Sequence, residues 1–300
     1  MITEMKKTAL IIAILIMAIS SANAQLLWRV SGNNAKGDSY LFGTHHMAPA
    51  SVMDSIKGFT PALASVEEMY GEVEMPENPQ SPEMVQLTMK YASAPADSTL
   101  TKVLTAAQLD SLNTLLASYT GGMLNAKQLN AFKPSMVSTQ LAMLQSAKNF
   151  PDFNPMQQLD TQIQQRAAAA NLPVKGLETM EEQFDILMNA PIMDQVDDLM
   201  EAVRNDSKSG EKAKKLADAY MTENLDAISE VLFKDEDMDP DDPMFKRLFD
   251  NRNASWVKKL TTDILPSSKV FVAVGVGHLV GDKGLIKALQ EAGYTVTPVK

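Results

Sequence analysis

The stretch "KVFVAVGVGH", residues 269–278, sets the fold that the sequence predicts. Its valine-rich apolar run predicts a β-strand, and the run closes on a histidine, His278. A second strand-like stretch, "SYLFGTHH" at residues 39–46, closes on His45 and His46. Because the chain has three histidines in all, every histidine lies at the end of a predicted strand.

Further strands are predicted on both sides of these two stretches. The segment "NNAKGD", residues 33–38, predicts a turn, so strands at 26–32 and 39–46 are expected to form a hairpin. Other strands are predicted at 69–75, 173–178 and 294–299. The last of these follows a predicted helix at 281–293, so the end of the chain is a β/α/β unit.

The middle of the chain is predicted to be helical. Apolar residues recur at helical spacing in segments at 98–119, 133–149, 155–172, 179–190, 193–232 and 244–265. This order predicts an α/β fold: a mixed β-sheet with flanking helices, in which the N- and C-terminal strands share one sheet. We expect a single domain over residues 25–300, with a large helical insertion at about residues 80–265.

The first 24 residues have the pattern of a cleavable signal peptide. Lys6 and Lys7 precede an apolar run, and the segment closes on the small residues Ala22 and Ala24. We therefore expect export, to the periplasm or the medium. No later apolar run has membrane length, so no membrane span is expected after cleavage.

Composition excludes several classes of function. The net charge of −10 disfavours nucleic acid as a partner, because phosphates must be met by lysine and arginine. The absence of cysteine excludes thiol catalysis and thiolate metal sites. The sequence lacks the Gly-x-Ser-x-Gly motif of serine hydrolases, and "GVGHLVG" has neither the spacing nor the following length of a dinucleotide-binding unit.

The histidine-ended strands predict a binding site. A glycine precedes each terminal histidine by three residues, Gly43 before His46 and Gly275 before His278. If the two strands are parallel neighbours, both histidines lie at the carboxyl edge of the sheet, where α/β proteins bind ligands. Imidazoles bind Mn, Co, Zn or Fe, and Glu72 or Glu74, predicted on one face of the third strand, offers a carboxylate. The alternative is that these histidines only form structural hydrogen bonds.

Several segments together resemble the TraB/GumN family. They are "YLFGTHHMAP" (40–49), "GEVEM" (71–75), "LDTQIQQRAAAANLPVKGLETMEEQ" (159–183), "NRNASWVKKL" (251–260) and "VFVAVGVGHLVGDKGLIKALQEAGYTV" (270–296). They occur in the family's order and cover nearly all of the chain after the predicted signal peptide. The family is similar to the Tiki metalloproteases and, more remotely, to erythromycin-esterase-like and ChaN-like proteins.

The resemblance implies a divalent-metal hydrolase site. It implies His46, His278 and Glu72 as metal ligands, and Glu72, Arg252 and Glu178 as catalytic residues. The supporting motif residues are Gly43, Thr44, His45, Gly275 and Gly277, of which His45 falls at a position that varies in the family. Two alternatives stay open: an ion pair of Arg252 with Asp250 or nearby acidic residues on a helix surface, and a helix N-terminal charge for Glu178.

The expected function is that of a secreted or periplasmic metal-dependent hydrolase acting on a peptide or amide bond. In that mechanism the metal lowers the pKa of a bound water, Glu72 takes its proton if it is not a ligand, and Arg252 stabilises developing charge. The alternative function is a binding or regulatory protein that retains the fold without turnover. The sequence identifies neither the substrate nor the metal.

Overall fold

One mixed β-sheet lies at the centre of the computed structural model, which describes residues 25–234 and 242–300. Its strands follow the order β4-β3-β5-β2-β1-β6 within these residues. The strands are β1 (Leu27–Ser31), β2 (Ser39–Thr44), β3 (Glu68–Gly71), β4 (Val174–Gly176), β5 (Val270–Gly275) and β6 (Thr295–Pro298). The predicted α/β class is confirmed, and strands from both ends of the chain share the sheet.

The valine-rich strand β5 occupies the middle of the sheet. It pairs in parallel with β2 on one side and with β3 on the other. Residues Val270 to Val274 are all buried, as expected for a parallel strand that is covered on both faces. The predicted hairpin is confirmed, since β1 pairs antiparallel with β2, and β6 adds antiparallel to the outer side of β1.

The three strands that lead to the predicted site end earlier than the sequence predicts. β2 ends at Thr44, β3 at Gly71 and β5 at Gly275, and a 3-10 turn, Val276–His278, follows β5. The prediction that Glu72 and Glu74 share a strand face is wrong, because both residues follow the strand. The chain there continues towards the segment after β4, with the amide of Glu178 donating to the carbonyl of Glu72 at 2.9 Å.

Helices cover the sheet and fill the long middle of the chain. Those before the undescribed segment 235–241 are α1 (Val52–Ser55), α2 (Phe59–Ala64), α3 (Pro82–Ala92), α4 (Leu100–Val103), α5 (Ala106–Thr120), α6 (Pro134–Ala147), α7 (Leu159–Ala169), α8 (Met180–Met188), α9 (Ile192–Arg204), α10 (Asp206–Met221) and α11 (Leu225–Phe233). The segment predicted as one helix at 98–119 is two helices, because Thr105 and Gln108 form a capping box that starts α5.

The long helix predicted at 244–265 is observed, but it contains two π-helical turns. It runs through α12 (Pro243–Phe245), a first π turn (Lys246–Asp250), α13 (Asn251–Lys259), a second π turn (Leu260–Ile264) and α14 (Leu265–Ser267). The last helix is α15 (Leu285–Glu291). Single π turns inside helices often lie at functional sites, and the first of these ends two residues before Arg252.

Apolar side chains form two buried clusters. The larger one surrounds the sheet, and in it the ring of Phe271 lies 5.2 Å from that of Phe59 and 6.2 Å from that of Phe42. The smaller one joins α4, α5, α6 and α9 away from the sheet. None of the helices in the described ranges combines the length and apolarity of a bilayer span. The predicted signal peptide lies outside those ranges.

Candidate active site

The carboxyl ends of β2, β3 and β5 meet at one cavity of about 510 Å³. Parallel pairing places Thr44 opposite Gly275 and Gly71 opposite Ala273, so the residues that follow these strands converge. His46, Glu72, His278 and Arg252 all line this cavity. The expectation that both terminal histidines share one sheet edge therefore agrees with the topology.

Arg252, on α13, is the centre of a buried polar cluster. All five N–H groups of a guanidinium can donate, and each has an acceptor here. Nε donates to both oxygens of Glu178 at 3.2 and 3.1 Å, and Nη2 donates to Glu178 at 2.7 Å and to Glu72 at 2.5 Å. Nη1 donates to the carbonyl of Leu248 at 3.2 Å and contacts Nε2 of His278 at 2.9 Å.

Glu72 is fixed by donors from three directions. Besides Arg252, the amide of Gly275 donates to its Oε1 at 2.8 Å, and Gln183 donates to its Oε2 at 3.1 Å. Burial alone would raise the pKa of Glu72, but the charges of His278, Arg252 and His46 outweigh it and lower the pKa to about 2. A Cβ on residue 275 would lie 3.1 Å from Oε1, so a glycine there lets the carboxylate sit against the end of β5.

His278 is buried and held as a neutral imidazole. Its Nδ1 lies 2.7 Å from Oδ1 of Asn253, an acceptor, so Nδ1 carries the proton and Nε2 accepts from Arg252. Burial lowers the pKa of His278 to about 4. The ring packs between Trp256, at 4.5 Å, and Phe249, at 5.1 Å. Its two nitrogens are therefore both engaged.

His46 differs from His278 in being open to the cavity. Its side chain is 64% exposed, and its Nδ1 lies 2.9 Å from Oδ2 of Asp160. Thr44 donates to the other oxygen of Asp160 at 2.6 Å, which fixes the carboxylate. The negative charge of Asp160 raises the pKa of His46 to about 9. Asp160 thus orients the ring through Nδ1 and leaves Nε2 as the nitrogen for a ligand or a reaction.

Replacing Asp160 by asparagine is expected to move the titration of His46. The carboxylate is the largest cause of the raised pKa, so its removal lowers the pKa of His46 from about 9 towards the ordinary value of about 6.5. Two-dimensional NMR of the imidazole nitrogens against pH measures this. His278 serves as the internal reference, because Asp160 is not among the groups that shift its pKa. An unchanged His46 midpoint would contradict the assigned role of Asp160.

His45 and two glycines shape the wall of the cavity. The ring of His45 lies 4.7 Å from Phe150 and 5.4 Å from Tyr220, and its Nδ1 accepts from the amide of Met47 at 3.2 Å. Burial lowers the pKa of His45 to about 4. A Cβ on Gly43 would lie 2.8 Å from Val276, and one on Gly277 would lie 2.9 Å from Phe249. These motif residues allow close packing around the site.

The structure brings together most of the residues predicted from the sequence. Glu72, Glu178, Arg252 and His278 form one hydrogen-bonded cluster, and His46 faces the same cavity. Glu74, the second-choice carboxylate, is exposed. The alternative interpretation, a surface ion pair between Arg252 and Asp250, is wrong, because Arg252 is buried and Asp250 pairs with Lys283.

The local geometry also decides whether Glu178 serves as the N-terminal charge of a helix. Thr179 and Glu182 form the capping box of α8. The carboxylate of Glu178 is buried and bonds to Arg252 and Gln183. Glu178 therefore belongs to the cluster and is not needed to cap the helix.

Four residues of the site were not predicted from the sequence. Asp160 holds His46, Asn253 holds His278, Gln183 joins the two glutamates, and the ring of Trp256 lies 4.6 Å from the guanidinium of Arg252. Helical spacing indicates one of them, because Trp256 lies four residues after Arg252 on α13 and therefore on the same helix face; Asn253, the next residue after Arg252, is not indicated by that spacing. Asp160 and Gln183 are polar residues in the first turns of α7 and α8, and nothing in the sequence singles them out.

The cluster suits the metal ion that the resemblance implies only in the types of its donor atoms. The donor types are suitable, and both histidines are held through Nδ1, as in many metal sites. However, Arg252 bonds to Glu72 and to Nε2 of His278, which are two of the three expected ligands. No three His, Asp or Glu side chains of residues 25–234 and 242–300 are arranged to hold a metal ion. The expected ion and this arrangement do not fit together.

The comparison with known protein families gives a match over nearly the whole chain. The chain matches the family model described as the TraB/PrgY/gumN family over residues 26–298. It therefore belongs to the TraB/PrgY/gumN family. Neither a curated protein nor a solved structure gives a significant match to the chain.

Proposed function

We propose that this chain is an exported hydrolase that cleaves an amide or peptide bond in the cavity at the ends of β2, β3 and β5. The observation that carries the proposal is the pairing of His46 with Asp160 beside the buried cluster of Arg252. A histidine that is open to a cavity and oriented by a carboxylate is suited to acid–base catalysis. Titratable groups with strongly shifted pKa values concentrate at functional sites.

His46 is the proposed proton-transfer residue. The ion pair with Asp160 holds Nδ1, so Nε2 exchanges a proton with the reacting atoms. With a pKa of about 9, His46 is mostly protonated at neutral pH, and its neutral form is the proposed base. Nε2 takes a proton from the water molecule whose oxygen attacks the carbonyl carbon, and the protonated ring then gives that proton to the leaving nitrogen as the carbon–nitrogen bond breaks.

The cluster around Arg252 contributes a fixed electrostatic field. The five N–H groups of Arg252 are all engaged within the protein, so a direct hydrogen bond to substrate requires one of them to change its partner. Glu72 and Glu178 keep the guanidinium in place, and an N–H group that it turns towards the substrate stabilises negative charge that develops there.

The cavity walls indicate the class of substrate. Away from the polar cluster they are mostly apolar, formed by Met143, Ile186, Leu187, Leu216, Leu232, Leu248 and Phe249. A charged group among these side chains would lose its hydration without gaining a partner. We therefore propose an uncharged substrate with an apolar side chain next to the bond that is cleaved.

One observation favours a second candidate, a binding protein without turnover. Glu72, Glu178, Arg252 and His278 satisfy one another, as do the polar groups of a purely structural cluster. In that case the apolar cavity binds a ligand and His46 contributes only a hydrogen bond. The cleavage assay below, run with EDTA and with added metal ions, tests the metal dependence that the resemblance implies.

A peptide-cleavage assay tests the hydrolase proposal. The purified protein is incubated with a fluorogenic peptide library, with EDTA and separately with Mn²⁺ or Co²⁺, beside the variant His46→Gln. We expect cleavage next to uncharged apolar residues, about 10²-fold or more slower in His46→Gln. Lys287→Gln is the matched control, because Lys287 pairs with Asp282 on the surface.

Two results separate the candidates. Cleavage that depends on His46 and persists in EDTA supports the proposed hydrolase. A complete lack of cleavage under every condition, together with saturable binding of apolar peptides, favours the binding protein. Cleavage that is unchanged in His46→Gln would overturn the role proposed for this residue.

A further inference from the structure

The buried cluster around Arg252 contains two acidic side chains for one basic side chain. Glu72 and Glu178 have side chains that are 10% and 6% exposed, and that of Arg252 is 8% exposed. His278, the fourth member, is held neutral by Asn253 and Arg252. Such buried carboxylates are costly without a cation, so the guanidinium is what makes this arrangement stable.

The acceptors around the guanidinium are of the chemical types that also bind divalent metal ions. Two carboxylates and the unprotonated Nε2 of His278 all point at Arg252. Carboxylate and imidazole groups are the usual ligands of Zn²⁺, Mn²⁺ and Co²⁺. Asn253 fixes the proton of His278 on Nδ1 at 2.7 Å, which is how second-shell groups prepare a histidine to bind a metal through Nε2.

We propose that Arg252 is the resident cation of this site and keeps Glu72, Glu178 and His278 apart, so that these residues hold a divalent metal ion only when the guanidinium is removed and they close around the ion. The wild-type protein then binds no metal ion through these residues. Removal of the guanidinium leaves two carboxylates and one imidazole around a void, and a divalent ion balances the two negative charges that remain.

The proposal predicts a gain of metal binding in a variant. Arg252→Ala is expected to bind one equivalent of Co²⁺, seen as visible absorption of the bound ion and in equilibrium dialysis. Addition of Co²⁺ is expected to raise the melting temperature of this variant and to leave that of the wild type unchanged. Arg252→Met, which keeps more of the side-chain volume, is measured in parallel in case Arg252→Ala does not fold without metal.

Matched variants assign the binding to these residues. Arg252→Ala combined with His278→Gln is expected to lose at least ten-fold in Co²⁺ affinity. Arg247→Ala is the control, because Arg247 lies five residues away and donates to the carbonyls of Asp185 and Ile186 rather than to carboxylates. It is expected to bind no more Co²⁺ than the wild type does.

Two results would overturn the proposal. One is a wild-type protein that takes up an equivalent of Co²⁺ and loses it on Glu72→Gln or His278→Gln, since Arg252 would then move aside for the ion. The other is a folded Arg252→Ala or Arg252→Met variant that takes up none. Ion binding is measured without substrate, so its outcome is independent of the hydrolase proposal.

Discussion

Replacement of Arg252 by methionine is expected to lower the free energy of unfolding by about 3–5 kcal/mol, the usual cost of removing one partner from a buried ion pair. Glu72 and Glu178 would then be buried without a cation, and His278 would lose the donor to Nε2. Urea unfolding at neutral pH in the presence of EDTA measures the loss. EDTA is needed because metal ions are proposed to replace the missing charge.

A control variant and the pH dependence of the loss make the prediction for Arg252→Met specific. Arg247→Met removes hydrogen bonds to two carbonyls without exposing a buried carboxylate, so a loss of only about 1 kcal/mol is expected. The deficit of Arg252→Met is expected to shrink as the pH falls, because protonation neutralises the unpaired carboxylates. A deficit no larger than that of Arg247→Met would mean that the cluster contributes little to folding.

Stability is expected to fall as the pH drops from about 6.5 to 4. The pKa of His278 and that of His45 are each lowered to about 4 in the folded protein, whereas an unfolded histidine titrates near 6.5. Below that pH the unfolded chain binds protons that the folded chain does not. Each histidine then costs up to about 1.4 kcal/mol of stability for every pH unit.

Urea unfolding between pH 7 and pH 4.5 checks this slope. In His278→Gln, the difference in bound protons between the unfolded and the folded state is expected to be smaller by about one than in the wild type. The stability of this variant therefore falls less steeply as the pH is lowered. His46→Gln is the control, because the pKa of His46 is raised to about 9. The contribution of protonated His46 to the stability of the fold is complete below pH 6.5 and is lost as the pH rises through 9. Equal slopes in all three proteins would contradict the burial of a neutral His278.

The fold was predictable because apolar runs and turn residues mark the strands directly. The run at 269–278 and the turn at 33–38 lead to β5 and to the β1–β2 hairpin, and both were predicted from local sequence. Strand ends were less predictable, because β5 ends where the amide of Gly275 donates a hydrogen bond to the carboxylate of Glu72. That contact joins residues 203 positions apart, and no local pattern encodes it.

The members of the site were predictable, but their connections were not. His46 and His278 stand out because histidine is scarce and each closes a predicted strand, and Glu72 stands out as a carboxylate within a predicted strand. Whether Arg252 contacts Glu72 and His278 depends on how α13 is rotated about its own axis relative to β5. The π turn at Lys246–Asp250 sets that rotation, and the sequence has no proline or glycine there to mark it.

The position of β5 in the sheet also has a consequence for the order in which the protein folds. Its neighbour β2 is about 230 residues earlier in the chain, as the bond from the amide of Val270 to Ser39 across 231 positions illustrates. The hairpin β1–β2 and the helical pairs can form from nearby segments, whereas the centre of the sheet requires the closure of a very long loop. Proteins dominated by such distant pairings fold slowly, so we expect β5 insertion to limit the folding rate and the cavity to be completed only in that last step.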